Sequence, residues 1–433
     1  MIERSEIVGI IGLGYVGFPL AVAFAKERNV VAYDVDRGRI NALNTGVDIT
    51  KEVDPSEFVN LESLLISNDP EDLQMADIFI ITVPTPVDEM NSPDLSYLIA
   101  ASKLVGRYLR PGGVVVFEST VYPGATEEIC VPELCKSSGL MYLVDENDDG
   151  RPGFYVGYSP ERINPGDRER SIREIVKVVS GSSRKAAARI QELYRLIVNE
   201  TFLASSIAVA EAAKVIENAQ RDLNIAFVNE LSLLFDKLGI PTYEVLAAAQ
   251  TKWNFLRFEP GLVGGHCIGV DPYYLMSKAR DVGFNARVLL AGRETNDVMA
   301  SLMASKLRSA LEEGGGCELG CRIGVLGVTF KENCPDTRNS KVFEFIGSLR
   351  SFGYQVLSWD PHVEVGLMGT CALDEFHNLD ALVISVPHDA VIALTYSLIE
   401  HCFDPAGAKI VFDMKARIHA KTFDGGECRV LTM

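Results

Sequence analysis

Gly12-Leu13-Gly14-Tyr15-Val16-Gly17 lies between a short apolar run, Ile7 to Ile11, and a helical pattern, Phe18 to Arg28. Val30 to Asp34 reads as a second strand and puts Asp34 22 residues after Gly12. Strand, glycine turn, helix and acid-tipped strand in that order describe a doubly wound α/β sheet with a dinucleotide fingerprint. The helix N-terminus offers free N–H groups and partial positive charge to a pyrophosphate. An acid at the second strand end accepts hydrogen bonds from a ribose diol and repels a 2′-phosphate, which favours NAD over NADP. Arg37 and Arg39 weaken that preference. The contacts expected for NAD are Gly12, Gly14, Tyr15, Val16, Gly17 and Asp34, with Arg39 and Thr85 close by. A glycine-rich turn in an α/β domain that binds nothing is the alternative.

Ile78–Val83, Val114–Phe117 and Phe154–Tyr158 are further short apolar runs separated by helical patterns, as in a buried parallel sheet. This first domain is expected to span residues 1–200. Ile207 to Leu238 contains neither Gly nor Pro and is stopped by Gly239-Ile240-Pro241. Such a helix is roughly 45 Å long at about 1.5 Å per residue, more than one small domain needs. It suggests a spine joining two domains and two subunits, within a helical domain over 201–315. A third region, 316–433, repeats the order of features weakly. Tyr33-Asp34-Val35-Asp36 parallels Trp359-Asp360-Pro361-His362, and Ile81-Thr82-Val83-Pro84-Thr85 parallels Ile384-Ser385-Val386-Pro387-His388. The expected fold is therefore α/β, with two doubly wound Rossmann-like domains joined by a long central helix and a helical dimerisation domain. The third region lacks the fingerprint. Its first strand runs into Phe330 to Arg338, where Lys331 and Arg338 suit a sugar-nucleotide diphosphate or form a solvated charged loop.

The formal charge of -18 argues against a general nucleic-acid binder but not against an anionic substrate met by a local basic cluster. No apolar run approaches the roughly 18 residues of a membrane span. The charged start, Met1 to Glu6, does not read as a signal peptide. Nine cysteines without a disulfide rhythm fit a reducing cytoplasm, and Cys317 and Cys321 read as non-ligands. No metal site is expected.

Reactive residue types concentrate in the loop Gly264-Gly265-His266-Cys267-Ile268-Gly269-Val270-Asp271. A structural cysteine is usually a small hydrophobe among aliphatic neighbours. Cys267 instead sits among Gly, His and Asp, where a thiolate can be formed and used, although packing or metal binding needs the same residue types. Beside a hydride acceptor, a nucleophilic cysteine suggests oxidation through a thioester. On the long helix Lys214 and Asn218 lie four apart and share a face, with Glu211 and Arg221 extending the stripe. A lysine among apolar residues can act as an acid/base, while a charged stripe alone more often meets water. Glu161 follows an apolar strand and could activate water or pair with Arg162. Thr120 also ends a strand, and could bind cofactor, substrate or water or complete a turn.

The chain resembles the UDP-glucose/GDP-mannose dehydrogenase family along nearly its whole length. The resemblance rests on the fingerprint, Glu118-Ser119-Thr120-Val121, Ser159-Pro160-Glu161-Arg162, Ala213 to Asn218, the Cys267 loop and Phe330-Lys331-Glu332-Asn333. His266 before the cysteine and Ile268-Gly269-Val270 after it depart from the UDP-glucose pattern and resemble the branch acting on UDP-N-acetylhexosamines. Trp253 to Val263 resembles the Vi-antigen type, which oxidises UDP-N-acetylglucosamine or UDP-N-acetylgalactosamine. The resemblance implies a four-electron oxidation at sugar C6 with NAD as acceptor and Cys267 as nucleophile. It implies that Glu161 assists water with Thr120, that Lys214 and Asn218 steady the C6 oxygen, and that Asp271 aids proton transfer. Glu161, Lys214, Asn218, Phe255, Arg257, Gly264 and Lys331 are the substrate contacts it implies. Thr120 and Arg338 join the cofactor contacts. A homodimer is also implied. UDP-N-acetylmannosamine or UDP-glucose is the alternative substrate. A single-hydride alcohol dehydrogenase would need the lysine but not Cys267, and a non-catalytic NAD-binding regulator would need none of Cys267, Lys214, Asn218 and Glu161.

Overall fold

The computed structural model describes residues 6–88, 90–144, 152–162, 172–265, 268–314, 320–404, 409–418 and 428–433. The chain divides into two compact units, residues 1–217 with 273–284, and residues 218–272 with 285–433. In the first unit, seven parallel strands are ordered β3-β2-β1-β4-β5-β7-β6. They are β1 (Val8–Ile11), β2 (Val30–Tyr33), β3 (Leu64–Ser67), β4 (Ile78–Ile81), β5 (Val114–Phe117), β6 (Met141–Tyr142) and β7 (Gly153–Tyr158). The apolar runs form strands because side chains alternate between two cores. Val8, Ile10, Val114 and Val116 join one core with Phe18, Phe24 and Tyr194. Ile11, Ile81, Val115 and Phe117 join the other with Leu98 and Phe154. Around the sheet lie α1 (Gly17–Ala25), α2 (Arg37–Asn44), the single turn α3 (Pro55–Phe58), α4 (Ser96–Tyr108), α5 (Val131–Ser138) and α6 (Arg184–Tyr194). A separate parallel pair, β8 (Lys177–Val179) and β9 (Thr201–Leu203), was not legible in the sequence pattern.

The long helix forms as the sequence predicts: α7 runs from Ile207 to Leu238. Its first turns belong to the first unit and the rest to the second. After it come α8 (Thr242–Ala249), α9 (Asp271–Asp281) and a second long helix, α10 (Arg287–Glu313). The second sheet has five parallel strands ordered β11-β10-β12-β13-β14. They are β10 (Arg322–Leu326), β11 (Gln355–Trp359), β12 (Ala381–Ile384), β13 (Ile410–Asp413) and β14 (Arg429–Thr432). The faces are covered by α10 with α11 (Val342–Ser351), and by α12 (Asp389–His401).

The weak internal repeat has a structural counterpart. Gly12 and Gly327 follow the first strands of their sheets with φ of +96° and +83°. Thr82 Oγ1 donates to the carbonyls of Ile11 and Gly12, and Ser385 Oγ to those of Leu326 and Gly327. Asp34 accepts from the Leu13 N–H, and Asp360 from the Val328 N–H. One cysteine departs from the reading of the sequence: Cys321 is disulfide-bonded. Among the described residues no helix is long and apolar enough to cross a membrane.

Candidate active site

The fingerprint turn is built by crowding on one side and openness on the other. A Cβ on Gly17 would lie 1.8 Å from the Gly12 carbonyl oxygen, so only glycine fits. At Gly14 nothing lies within 4 Å of a Cβ position, so that side of the backbone is free for a ligand to approach. No side chain caps α1, which leaves its first N–H groups to an anion. Asp34 is fixed at the end of β2, accepting from Leu13 N–H at 2.6 Å and Asp36 N–H at 2.9 Å. Arg39 turns inward and is buried. Its Nε donates to the Leu13 carbonyl at 2.8 Å, and a terminal nitrogen lies 2.7 Å from Asp48. A guanidinium placed beneath the turn does not face outward as a clamp for a 2′-phosphate, which removes the objection to NAD that Arg39 raised. The turn, the uncapped helix and the carboxylate fit a dinucleotide. Thr85 offers its carbonyl to the hydroxyl of Tyr274 at 2.9 Å.

Thr120 and Glu161 follow β5 and β7, neighbouring strands of the first sheet, at their carboxyl ends. Glu161 is nearly buried, and its Oε1 accepts from the Arg162 N–H at 2.6 Å. The Arg162 guanidinium does not pair with it. It binds Glu217 at 2.8 Å and donates to the Val176 carbonyl at 2.9 Å. Lys177 Nζ lies 3.8 Å from Glu161 and 2.7 Å from the fully buried Glu118. Full burial, partly countered by Lys177 and reinforced by the Glu161 charge, pushes the Glu118 carboxyl up to about 7. Lys214 lies half-buried on α7. Glu211 does not continue a solvated stripe. It is buried and accepts from the N–H groups of Gly124 and Thr126, and burial raises its pKa.

In the second unit the structure brings Asn218 and Asp271 together. Both are buried, and Asn218 Nδ2 donates to Asp271 at 2.5 Å. His266 and Cys267 lie outside the described residues. The approach to them is anchored on both sides. Asn229 of α7 donates to the Gly261 carbonyl and accepts from its N–H. Gly265, with φ of +83°, donates to the Asn339 carbonyl, and its own carbonyl accepts from Asn339 Nδ2. A Cβ there would strike the Phe330 ring at 2.7 Å.

A cavity of about 220 Å³ opens beside this loop, lined by Gly264, Lys331, Ser340, Lys341 and Lys415 among others. Burial lowers the pKa of Lys415, whose Nζ donates to the Pro260 carbonyl at 3.0 Å. The N-terminus of α11 at Lys341 adds its dipole. Sequence reasoning found Gly264 and Lys331 but missed Lys341 and Lys415. The latter carried a signal, since it follows β13 at the carboxyl end of a doubly wound sheet, where ligands bind. Arg257 lines a second cavity of about 500 Å³ with Arg221, Arg417 and Lys415. Phe255 lies nearby in sequence but is not among that cavity's lining residues. Arg338 reaches Asp336 at 2.6 Å, with about half of its side chain exposed.

Three models of the UDP-glucose/GDP-mannose dehydrogenase family match this chain in order. The NAD binding domain matches residues 6–198, the central domain 208–298 and the UDP binding domain 324–420. The UDP-N-acetyl-D-glucosamine 6-dehydrogenase of Pseudomonas aeruginosa is 48% identical over 93% of this chain and 92% of its own length. The protein of the same name from Salmonella typhi is 47% identical over 88% and 89%. A solved UDP-D-ManNAc dehydrogenase from Pyrococcus horikoshii is 33% identical, with a TM-score of 0.88 over 98% of this chain and 99% of that one.

Proposed function

The chain belongs to the UDP-glucose/GDP-mannose dehydrogenase family, and we propose that it oxidises C6 of UDP-N-acetylglucosamine or UDP-N-acetylgalactosamine to the carboxylate. The observation that carries this reading is a pair of doubly wound domains with different anion sites. One holds the fingerprint with Asp34, and the other a cavity lined by Lys331, Lys341 and Lys415. The identity to UDP-N-acetyl-D-glucosamine 6-dehydrogenases, together with His266 and Ile268-Gly269-Val270, supports an N-acetylated sugar. The three matched segments support a division of labour near 1–200, 201–315 and 316–433.

The N-terminus of α1 and Asp34 would hold NAD, which would supply the hydride acceptor for two successive oxidations. Lys331, Lys341 and Lys415 hold the substrate diphosphate, with Arg257, Phe255 and Gly264 as further contacts. Cys267 as thiolate adds to C6 of the aldehyde, and the carbonyl oxygen takes a proton to give a thiohemiacetal. Oxidation of that adduct leaves a thioester. Water then adds to C6, a water proton passes to Glu161, the C–S bond breaks, and Cys267 leaves as thiolate. Lys214 and Asn218 stabilise negative charge on the C6 oxygen, and the Asn218–Asp271 hydrogen bond fixes the amide for that purpose. Thr120 orients the water. Arg338 and Thr85 lie on loops assigned to the cofactor.

A panel of UDP-sugars followed by NADH absorbance tests the reading. The N-acetylated sugars are expected to turn over faster than UDP-glucose and to give two NADH per sugar. Cys267→Ala is expected to abolish acid formation. Full four-electron turnover by Cys267→Ala would refute the covalent route, and faster oxidation of UDP-glucose would refute the substrate class.

A further inference from the structure

Behind Glu161 lies a closed cluster for which the proposed reaction has no use as such. Lys177, the first residue of β8, is buried. Its ammonium sits 2.7 Å from Glu118 and 3.8 Å from Glu161, over the face of Tyr194 at 5.1 Å from the ring centroid. The Tyr194 hydroxyl, at the end of α6, donates to the other Glu118 oxygen. Glu118 follows β5 directly, two residues before Thr120. A buried ion pair is a weak source of stability, because desolvating both charges cancels most of their attraction. A lone Glu118–Lys177 pair would therefore add little. What distinguishes this one is that the lysine also reaches a second carboxylate, and that carboxylate is Glu161.

We propose that Lys177 is a positioning residue for Glu161, anchored by Glu118 and Tyr194 so that its ammonium holds the Glu161 carboxylate aimed as the acceptor of the water proton. The inference rests on the reading of Glu161 given above. The arrangement divides two tasks. Glu118 fixes the ammonium through a 2.7 Å hydrogen bond, and Tyr194 holds Glu118 with its hydroxyl and places its ring against the ammonium. The longer reach to Glu161 orients that carboxylate from the Oε2 side, while its Oε1 accepts from the Arg162 N–H. The charged and titratable groups around Glu161 include Lys177 from β8, Glu118 after β5, and the Arg162–Glu217 pair that draws the Arg162 guanidinium away.

The test follows the full chain through turnover with NAD and UDP-N-acetylglucosamine, using intact-protein mass spectrometry and the pH profile of kcat. Glu161→Gln, Lys177→Met and Lys177→Arg are run in parallel. Lys177→Met is expected to lower kcat at least tenfold with KM within threefold, and to accumulate the same sugar adduct on Cys267 as Glu161→Gln. The acid limb of its profile should move to higher pH, since a carboxylate without its cation binds a proton more readily. Lys177→Arg should restore most of kcat and the original limb. A merely structural role would not shift the limb or be rescued by charge.

If Glu161→Gln accumulates adduct and a folded Lys177→Met does not, this inference alone falls. If Glu161→Gln accumulates none, the reading of Glu161 falls and takes the inference with it. Should Lys177→Met fail to fold, the double variant Glu118→Gln, Lys177→Gln replaces both charges with hydrogen-bonding groups. It must still accumulate the adduct, and its failure to do so overturns the proposal.

Discussion

Asp34 and Asp360 occupy matching places in the two sheets but have different surroundings, and the difference assigns their roles. Asp34 is half-buried and accepts from the backbone N–H groups of Leu13 and Asp36, so its carboxylate remains available to a ribose. Asp360 is buried and closed off by His388, whose Nε2 lies 3.0 Å away. Nδ1 of that ring accepts the Asn333 N–H at 2.8 Å, so Nε2 carries the proton that faces Asp360. Burial would raise the Asp360 pKa. The His388 hydrogen bond, with the N–H groups of His362 and Val328, outweighs it and holds the carboxyl down at about 2, below its ordinary 3.8. A depressed acid contributes stability above its unfolded pKa and loses it as pH falls through the folded one. Asp360→Asn should therefore cost about 2–3 kcal/mol at pH 7, taking about 1.4 kcal/mol for each pKa unit. The deficit should shrink to nothing as pH falls from about 4 to about 2, the window between the two pKa values. Denaturant unfolding of parent and variant across that range measures it, and a deficit independent of pH would remove Asp360 from the linkage.

Between elements, a buried ion pair with its hydrogen bonds joins α7 to α10 in the second unit. Arg293 is 2% exposed, with its guanidinium 2.6 Å from Asp222 and 2.5 Å from Asp297, and Asn296 donates to Asp222 at 2.7 Å. Gly292 beside it lets the helices close, since a Cβ there would meet Leu223 at 2.5 Å. Arg293→Met should destabilise the protein by about 3–5 kcal/mol because it strands Asp222 as a buried charge. Arg293→Met with Asp222→Leu should recover most of that loss, and calorimetry on both variants decides it. This lock shows where the sequence stopped being informative. The α7 helix was legible because its lack of Gly and Pro and its stop at Gly239 are local facts. The fingerprint and Asp34 were legible for the same reason, as were the paired positions Thr82 and Ser385. The pairing of Asp222 with Arg293 spans 71 residues and needs two packed helices to exist. The Glu118, Glu161, Lys177 and Tyr194 cluster is likewise gathered from four separate segments by the packing of the first unit. The edge strand β3 escaped notice because its residues are only partly buried, which blurs the apolar run. Asn218 and Asp271 were each singled out in the sequence, but their hydrogen bond was not.

On the scale of the whole molecule, a formal charge of -18 surrounds a cavity lined by three lysines. The local field in such a cleft, not the net charge, decides which ligand enters. The exposed surface also carries apolar residues that a lone chain has little reason to show. Along α7, Ile216, Phe227, Leu234 and Leu238 are 54%, 57%, 48% and 59% exposed. They are separated by 11, 7 and 4 residues, the spacing of a single stripe on a helix. On α10, Val288 and Val298 are exposed as well. Burying a side chain such as Phe or Leu is worth about 1.5–3 kcal/mol, so covering this stripe with its own copy would favour association strongly. A two-fold axis would place the same stripe on both partners, as self-complementary contacts require. We therefore expect a homodimer built along α7. Sedimentation at micromolar concentration should show a species of twice 47.4 kDa. Leu234→Glu puts a charge in the middle of the stripe and should shift that species toward the monomer, with helix content by circular dichroism unchanged. A parent chain that sediments only at 47.4 kDa would refute the dimer. A dimer that survives Leu234→Glu and Phe227→Glu together would move the interface away from α7.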